Sequence, residues 1–229
     1  MPALLARYER NERGRDFAVG DIHGHFTRLQ AALDRIGFDP GVDRLFSVGD
    51  LVDRGPECEQ ALIWLAQPWF HAVRGNHEDI AMRYAKGNPV DVGSYIANGG
   101  EWFVTLDPAR RPSFAQAFSQ LPLAIEVQTD AGPVGIVHAD CPVRDWSRLG
   151  IALRLRRAAR DRAMWTRERL QREDASGVAG LRALVVGHTP VAEPVVLGNV
   201  FHIDTGGWMP GGRFTLLDLD TLEVATDAS

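Results

Sequence analysis

Lysine is almost missing from this chain: Lys86 is the single one, and arginine supplies the rest of the 25 basic residues. That bias fits a GC-rich coding sequence and says little about chemistry. Cysteine is nearly as scarce. Cys58 and Cys141 are the only two, and neither sits in a CxxC pair. A disulfide framework and a thiolate zinc knuckle are therefore excluded, and a reduced, cytoplasmic setting is expected. No apolar run is long enough to span a bilayer. The opening MPALLARYERNERGRD turns charged after a few apolar residues, which makes a poor signal peptide. There is no excess of positive charge, since the net charge is −5. Nothing global then points to nucleic acid or to a membrane surface as a partner. Serine/glycine-rich linkers and fixed-period repeats are also lacking, so residues 1–229 read as one domain, a monomer by default.

What is present is ordinary globular composition, 45% hydrophobic and 24% charged. Short β-branched runs recur at Phe17–Val19, Leu45–Val48, His71–Val73, Ile125–Val127, Val134–Val137, Leu184–Val186, Val195–Leu197 and Phe214–Leu217. These read as buried strands. Helical spacing appears at Phe26–Ile36, Glu59–Leu65, Ile80–Ala85 and Ile151–Arg172, while Asp91–Arg111 has no clear period. Strands alternating with helices, then strands joined by short turns, predict a mixed α/β fold.

One arrangement recurs: an apolar strand, usually a glycine, then a side chain able to hold a metal. AVGDIHG delivers Asp21 and His23, and SVGDLVDRG delivers Asp50, Asp53 and Arg54. AVRGNHE brings Arg74, Asn76 and His77, GIVHAD brings His138, and VVGHTP brings His188. Ligand sites gather at strand ends, where loops converge and glycine permits close approach. Imidazoles mixed with carboxylates and an amide oxygen suit borderline divalent ions such as manganese, iron or zinc. There are enough such groups for two ions, and paired ions favour in-line displacement at phosphorus.

GDxHG, GDxVDRG, GNHE, a later HA and GHT, in that order, resemble the phosphoprotein phosphatase family of metallophosphoesterases, in its bacterial and bacteriophage-lambda type. The likeness extends to GFD at Gly37, NGG.WF at Asn98, W.RER at Trp165 and IDTG at Ile203, so it covers nearly the whole chain. It implies the calcineurin-like fold, a sandwich of mixed β-sheets flanked by helices with metals at one edge. By the same resemblance Asp21 and His23 would hold one ion, Asp50 would bridge, and Asn76, His138 and His188 would hold the second. Manganese is the foremost expectation for both ions. His77 would be the general acid, oriented by Asp53. Arg54, Arg74 and Arg167 would grip the phosphoryl oxygens. The implied reaction is hydrolysis of phosphoserine or phosphothreonine in proteins, with phosphotyrosine as a further substrate, by direct attack of a metal-bound hydroxide.

Rival readings stay open. A dinucleoside tetraphosphate hydrolase would show VARG, GNHD and GHW where this chain has Val52-Asp53-Arg54-Gly55, Glu78 and Thr189. A metal-dependent phosphodiesterase could use the same groups. A non-catalytic module is disfavoured because every expected ligand is present. His25 is expected near the site's rim, and His71 and His202 inside strands as structural imidazoles. Asp140 and Asp204 are read either as acceptors behind metal-bound histidines or as turn residues. Cys141 is followed by no phosphate-cradling loop, which argues against a cysteine nucleophile. The basic stretch LRLRRAARDRAMWTRERLQRE reads as a solvated helix face, or else as a recruiter of acidic partners.

Overall fold

The computed structural model describes residues 3–225. Two sheets lie face to face. One has six strands, in the order β1 (Leu5–Tyr8), β5 (Ala124–Val127), β6 (Val134–Val137), β7 (Ala183–Val186), β9 (Val200–His202) and β8 (Val195–Leu197). The other has four, in the order β10 (Leu216–Asp218), β2 (Asp16–Val19), β3 (Arg44–Ser47) and β4 (Phe70–Ala72). Ala18, Phe46, Ile125, Ile136, Val185 and Leu217 interdigitate between the sheets. Helices cover both outer faces. On the four-stranded sheet α1 (Phe26–Arg35), α2 (Ala61–Leu65), α3 (Asn76–Ala85), α5 (Glu101–Thr105) and α6 (Arg111–Gln120) close over Phe17, Leu45 and Phe70. On the six-stranded sheet α7 (Leu149–Leu155) and α8 (Arg157–Trp165) close over Val137, Leu184 and Val186. Every residue of β2, β6 and β7 is buried, and that is why those strands read as unbroken apolar runs rather than alternating ones.

Strand directions place the site. β2, β3 and β4 run parallel, with Val19 opposite Ser47 and Ser47 opposite Ala72. β6 and β7 also run parallel. The carboxyl ends of each set therefore open on one edge. The two sets meet across the sandwich, where His138 Nδ1 donates to Val48 O at 2.8 Å and His188 N donates to Asp21 Oδ1 at 3.0 Å.

Several elements differ from the sequence expectation. The helix expected from Ile80 begins at Asn76, so Asn76 and His77 occupy its first turn. The last strand covers Leu216–Asp218 rather than Phe214–Leu217. β1, β9 and α6 carry no strong signal of their own, and Asp91–Arg111 folds into α4 (Val92–Tyr95), a π turn at Ile96–Gly100, and α5. The helix expected over Ile151–Arg172 is three pieces, α7, α8 and α9 (Glu168–Gln171). α7 buries Leu149, Ala152 and Leu153. Continuing that face would bury Arg156, Arg157 and Arg160, so the chain breaks at Arg156 and re-enters with Ala159, Ala163 and Met164 inward. A second break at Thr166 and Arg167 turns Trp165 and Arg167 toward the site.

Candidate active site

Each strand end delivers its side chain through a constrained turn. Seven non-glycine residues have positive φ among the described residues, and five of them are His23, Asp50, Asp53, Arg54 and His188. Backbone in that region costs on the order of 1–3 kcal/mol per residue, and it persists only where neighbours hold it. Glu78, which the sequence reading used only to separate protein phosphatases from rivals, supplies much of that hold. Its carboxylate accepts from Gly75 N at 2.8 Å, Asp50 N at 3.0 Å and Leu51 N at 2.8 Å, tying the GNHE turn to the GDLVDRG turn. Burial and the charge of Asp50 push this carboxyl up to about 7. A Cβ on Gly75 would collide with the Asp50 carboxylate, and one on Gly187 with that of Asp21. Those two glycines are therefore required by close approach.

The histidines are pinned in one pattern. His23 Nδ1 donates to Val52 O at 2.8 Å, His138 Nδ1 to Val48 O at 2.8 Å, and His188 Nε2 to Trp165 O at 3.1 Å. A backbone carbonyl on one ring nitrogen leaves the other as an inward lone pair. Those inward nitrogens converge on the carboxylates of Asp21 and Asp50 and the amide oxygen of Asn76, with the Arg54 guanidinium also facing His23. His138 Nε2 lies 2.9 Å from Asn76 Oδ1, 3.1 Å from His188 Nδ1 and 3.3 Å from Asp50 Oδ2. His23 Nε2 lies 3.7 Å from Asp50 Oδ2 and 3.9 Å from Asp21 Oδ2. Two overlapping sets, His23–Asp50–His77 and Asp50–His138–His188, can each hold an ion, with Asp50 common to both. Carboxylates, imidazoles and an amide oxygen gathered this closely are what a cation needs, and the set fits two divalent ions.

The electrostatics carry the same message. Burial lifts Asp21 well above the carboxylate range, reinforced by Asp204. Burial opposes ionisation of Asp50 too, yet His138, His77 and His23 hold it well below that range. Against its own burial, His138 is raised to about 10 by Asp50. His188 is lowered to about 3 by burial and by the charge of His138. The site thus draws one positive charge to its centre and resists a second proton beside it.

A hydrogen-bonded chain of His77, Asp53, Trp102 and Tyr95 stands next to these groups. His77 Nδ1 lies 2.6 Å from Asp53 Oδ2, and the other oxygen of Asp53 accepts from Trp102 Nε1 at 2.6 Å and Tyr95 OH at 3.4 Å. Burial disfavours the imidazolium, but Asp50 and Asp53 outweigh it and raise the pKa of His77. Arg54 reaches both imidazoles, with Nη1 2.8 Å from His23 Nε2 and Nη2 3.3 Å from His77 Nε2. Its guanidinium lies over the Trp208 ring at 4.4 Å, and that ring packs edge-on against His23 at 4.8 Å. Trp208 Nε1 in turn donates to Asp204 Oδ1 at 3.3 Å. Trp208 carried no sequence signal beyond being aromatic.

The cleft above has a volume of about 280 Å³, and Arg54, His77, Ile80, Val90, Trp165 and Arg167 are among its walls. Arg74 is not. Its guanidinium donates to Phe118 O, Ser119 O and Leu121 O at 3.0–3.2 Å, closing the carboxyl end of α6, which corrects the expectation that it grips phosphate. Asp140 does not stand behind a histidine either. It accepts from Arg169 Nε at 2.9 Å and Arg162 Nη2 at 3.2 Å, charges the sequence placed nearby without pairing them. Cys141 is buried and its thiol is pushed up to about 11, so it is inert. His25 sits half-buried at the start of α1, its Nδ1 2.7 Å from His23 O.

Comparison with known proteins agrees with this geometry. The calcineurin-like phosphoesterase family pattern matches residues 17–204. Serine/threonine-protein phosphatase 1 of Salmonella typhimurium is 36% identical over 206 residues, which is 87% of this chain and 89% of that protein. Serine/threonine-protein phosphatase 2 of Escherichia coli is 33% identical over 196 residues, 83% of this chain and 86% of the relative. A crystal structure described as a candidate diadenosine tetraphosphatase superposes with a TM-score of 0.66 at 22% identity, covering 96% of this chain and 95% of that one. An acceptor cluster at strand ends, a family match across it and relatives aligned over most of their length lead to one statement: this chain is a hydrolase of the calcineurin-like phosphoesterase family.

Proposed function

We propose that the chain is a two-metal protein phosphatase acting on phosphoserine and phosphothreonine, and on phosphotyrosine as well. The observation that carries the reading is the Asp53–His77 pair, 2.6 Å apart and set against the acceptor cluster around Asp50. Asp21, His23 and Asp50 would hold one divalent ion, and Asp50, Asn76, His138 and His188 the other. Manganese is the first choice, and iron or zinc suit the same donors. When bound, such ions supply Lewis-acid charge and an activated water. The protein's own groups do the rest. Arg54 and Arg167 bind the equatorial phosphoryl oxygens with planar donor forks. His77 holds a proton at Nε2 and gives it to the departing alkoxide, while Asp53 keeps Nδ1 and stabilises the imidazolium. Water adds to phosphorus as the ester bond breaks, so no phosphoenzyme forms.

The protein substrate rests on the curated relatives' names and on Val52-Asp53-Arg54-Gly55, Glu78 and Thr189. The test is phosphate release by the manganese-loaded protein. The panel holds phosphoserine, phosphothreonine and phosphotyrosine peptides, a dinucleoside tetraphosphate and a simple phosphodiester. Preference for the phosphopeptides is expected. Preference for the nucleotide would assign the site to a tetraphosphate hydrolase instead, and preference for the diester to a phosphodiesterase.

A further inference from the structure

The two most exposed large apolar side chains among the described residues are Leu155 at 74% and Ile151 at 66%. They are one helical turn apart on α7, whose opposite side buries Leu149, Ala152 and Leu153. α7 is thus apolar on two sides, and only one is covered. The uncovered side borders a groove of about 580 Å³ that Val143 and three arginines, Arg144, Arg148 and Arg156, also line. Residues 144–157 hold five arginines and a single carboxylate, Asp145, in a chain whose net charge is −5. Asp145 offers little neutralisation: it accepts from Ser147 N and Oγ, and its contact with Arg148 is 3.9 Å between exposed side chains. An apolar floor inside a cationic rim is complementary to an aliphatic side chain flanked by carboxylates.

The groove also has a fixed relation to the cleft. α8 runs from Arg157 to Trp165, a length of ~13 Å. Trp165 lines the cleft and its carbonyl holds His188. About four extended residues would bridge such a distance. We propose that the α7 groove is a docking site that captures an acidic, leucine- or isoleucine-bearing segment of the phosphoprotein substrate, outside the residues around the scissile phosphate. The proposal rests on the protein-phosphatase reading and adds how that substrate is recruited.

Binding is tested first without chemistry. A fluorescein-labelled, unphosphorylated peptide with a leucine between glutamates is titrated into the protein, and anisotropy is read. Saturable binding is expected. It should weaken at least about tenfold in Ile151→Asp/Leu155→Asp, in Arg148→Glu/Arg156→Glu, and when lysines replace the peptide's glutamates. The same segment joined through a six-residue spacer to a phosphoserine should lower KM and leave kcat unchanged, and both double variants should abolish that gain. Turnover of phenyl phosphate should be equal in all three proteins. Equal binding of acidic and basic peptides overturns the proposal, as does a dimer by light scattering that the same substitutions dissociate, because a second copy would then be the occupant. Phosphopeptide turnover indifferent to the groove overturns docking alone. Tetraphosphate hydrolysis with no phosphopeptide turnover overturns the protein-phosphatase reading beneath it.

Discussion

The same strands serve two regions that obey different physics. In their middles, Phe17, Phe46, Ile136 and Val185 are apolar and completely or almost completely buried, and the helices and opposite sheet that cover them reward bulk. Within a few residues, at their carboxyl ends, Asp21, Asp50, His138 and His188 are also buried, yet they are charged or polar, and Asp50 and His188 stand at positive φ. Burial has opposite consequences in the two places. In the middle it stabilises the fold by removing apolar surface from water. At the ends it makes carboxylates and imidazoles costly unless a partner arrives, which is how a site comes to attract cations. Stability and chemistry are thus separated along each strand by a short distance, and substitutions should separate them too.

The largest effect is expected at Asp50, the acceptor shared by both candidate ion sets. Asp50→Asn should lower turnover well beyond the ~100-fold typical of residues that merely orient ligands. Metal content by atomic emission should fall with it, and the metal-free protein should also lose stability, because Asp50 is the buried counter-charge of His138. A variant that keeps both ions and its activity would remove Asp50 from the centre. His77→Asn should retain metal and lose about 10²- to 10⁴-fold in kcat. The Asp53 contact contributes to the raised pKa of His77, so Asp53→Asn should lower it. Because the protonated ring is the donor, activity declines as pH rises through that pKa, and the alkaline limb of the profile should move to lower pH. An unmoved limb would break the link between Asp53 and the proton.

Phe46→Ala tests the other region. Its ring lies 5.2 Å from Tyr8 and 5.0 Å from His71, wholly buried, so a loss of about 3–5 kcal/mol in denaturant unfolding is expected with kcat per folded molecule kept. Arg74→Met tests a residue that sequence placed in the first region and structure in the second. Losing the donor to three carbonyls should cost about 1–3 kcal/mol of stability and leave KM unchanged. A raised KM at unchanged stability would return Arg74 to the phosphate. The smallest effect is on acid stability. His71, half-buried in β4, and His202, buried in β9, are lowered by desolvation to about 4 from 6.5. Between those values the unfolded chain binds more protons, so stability rises with pH across the window and is lost as pH falls from 6.5 toward 4. Replacing both with phenylalanine should flatten Tm against pH there, and an unchanged slope would assign the acid sensitivity elsewhere.

The sequence by itself determined the apolar strand runs, because strands covered on both faces need no alternation. It also determined the order of Gly-Asp, Gly-Asn-His and Gly-His turns, because short side chains at strand ends have few other uses. Those patterns are local, so they survive without coordinates. Three matters needed the tertiary structure. That the two sets of turns meet depends on how two sheets stack, which no single stretch encodes. Whether an arginine faces phosphate or a helix end depends on neighbours distant in sequence: Arg54 lies over Trp208, and Arg74 meets carbonyls more than forty residues away. The break at Arg156 depends on which face of α8 the sheet accepts, and it leaves Ile151 and Leu155 in the open. Local chemistry is written in consecutive residues, whereas partners are chosen by packing across the fold.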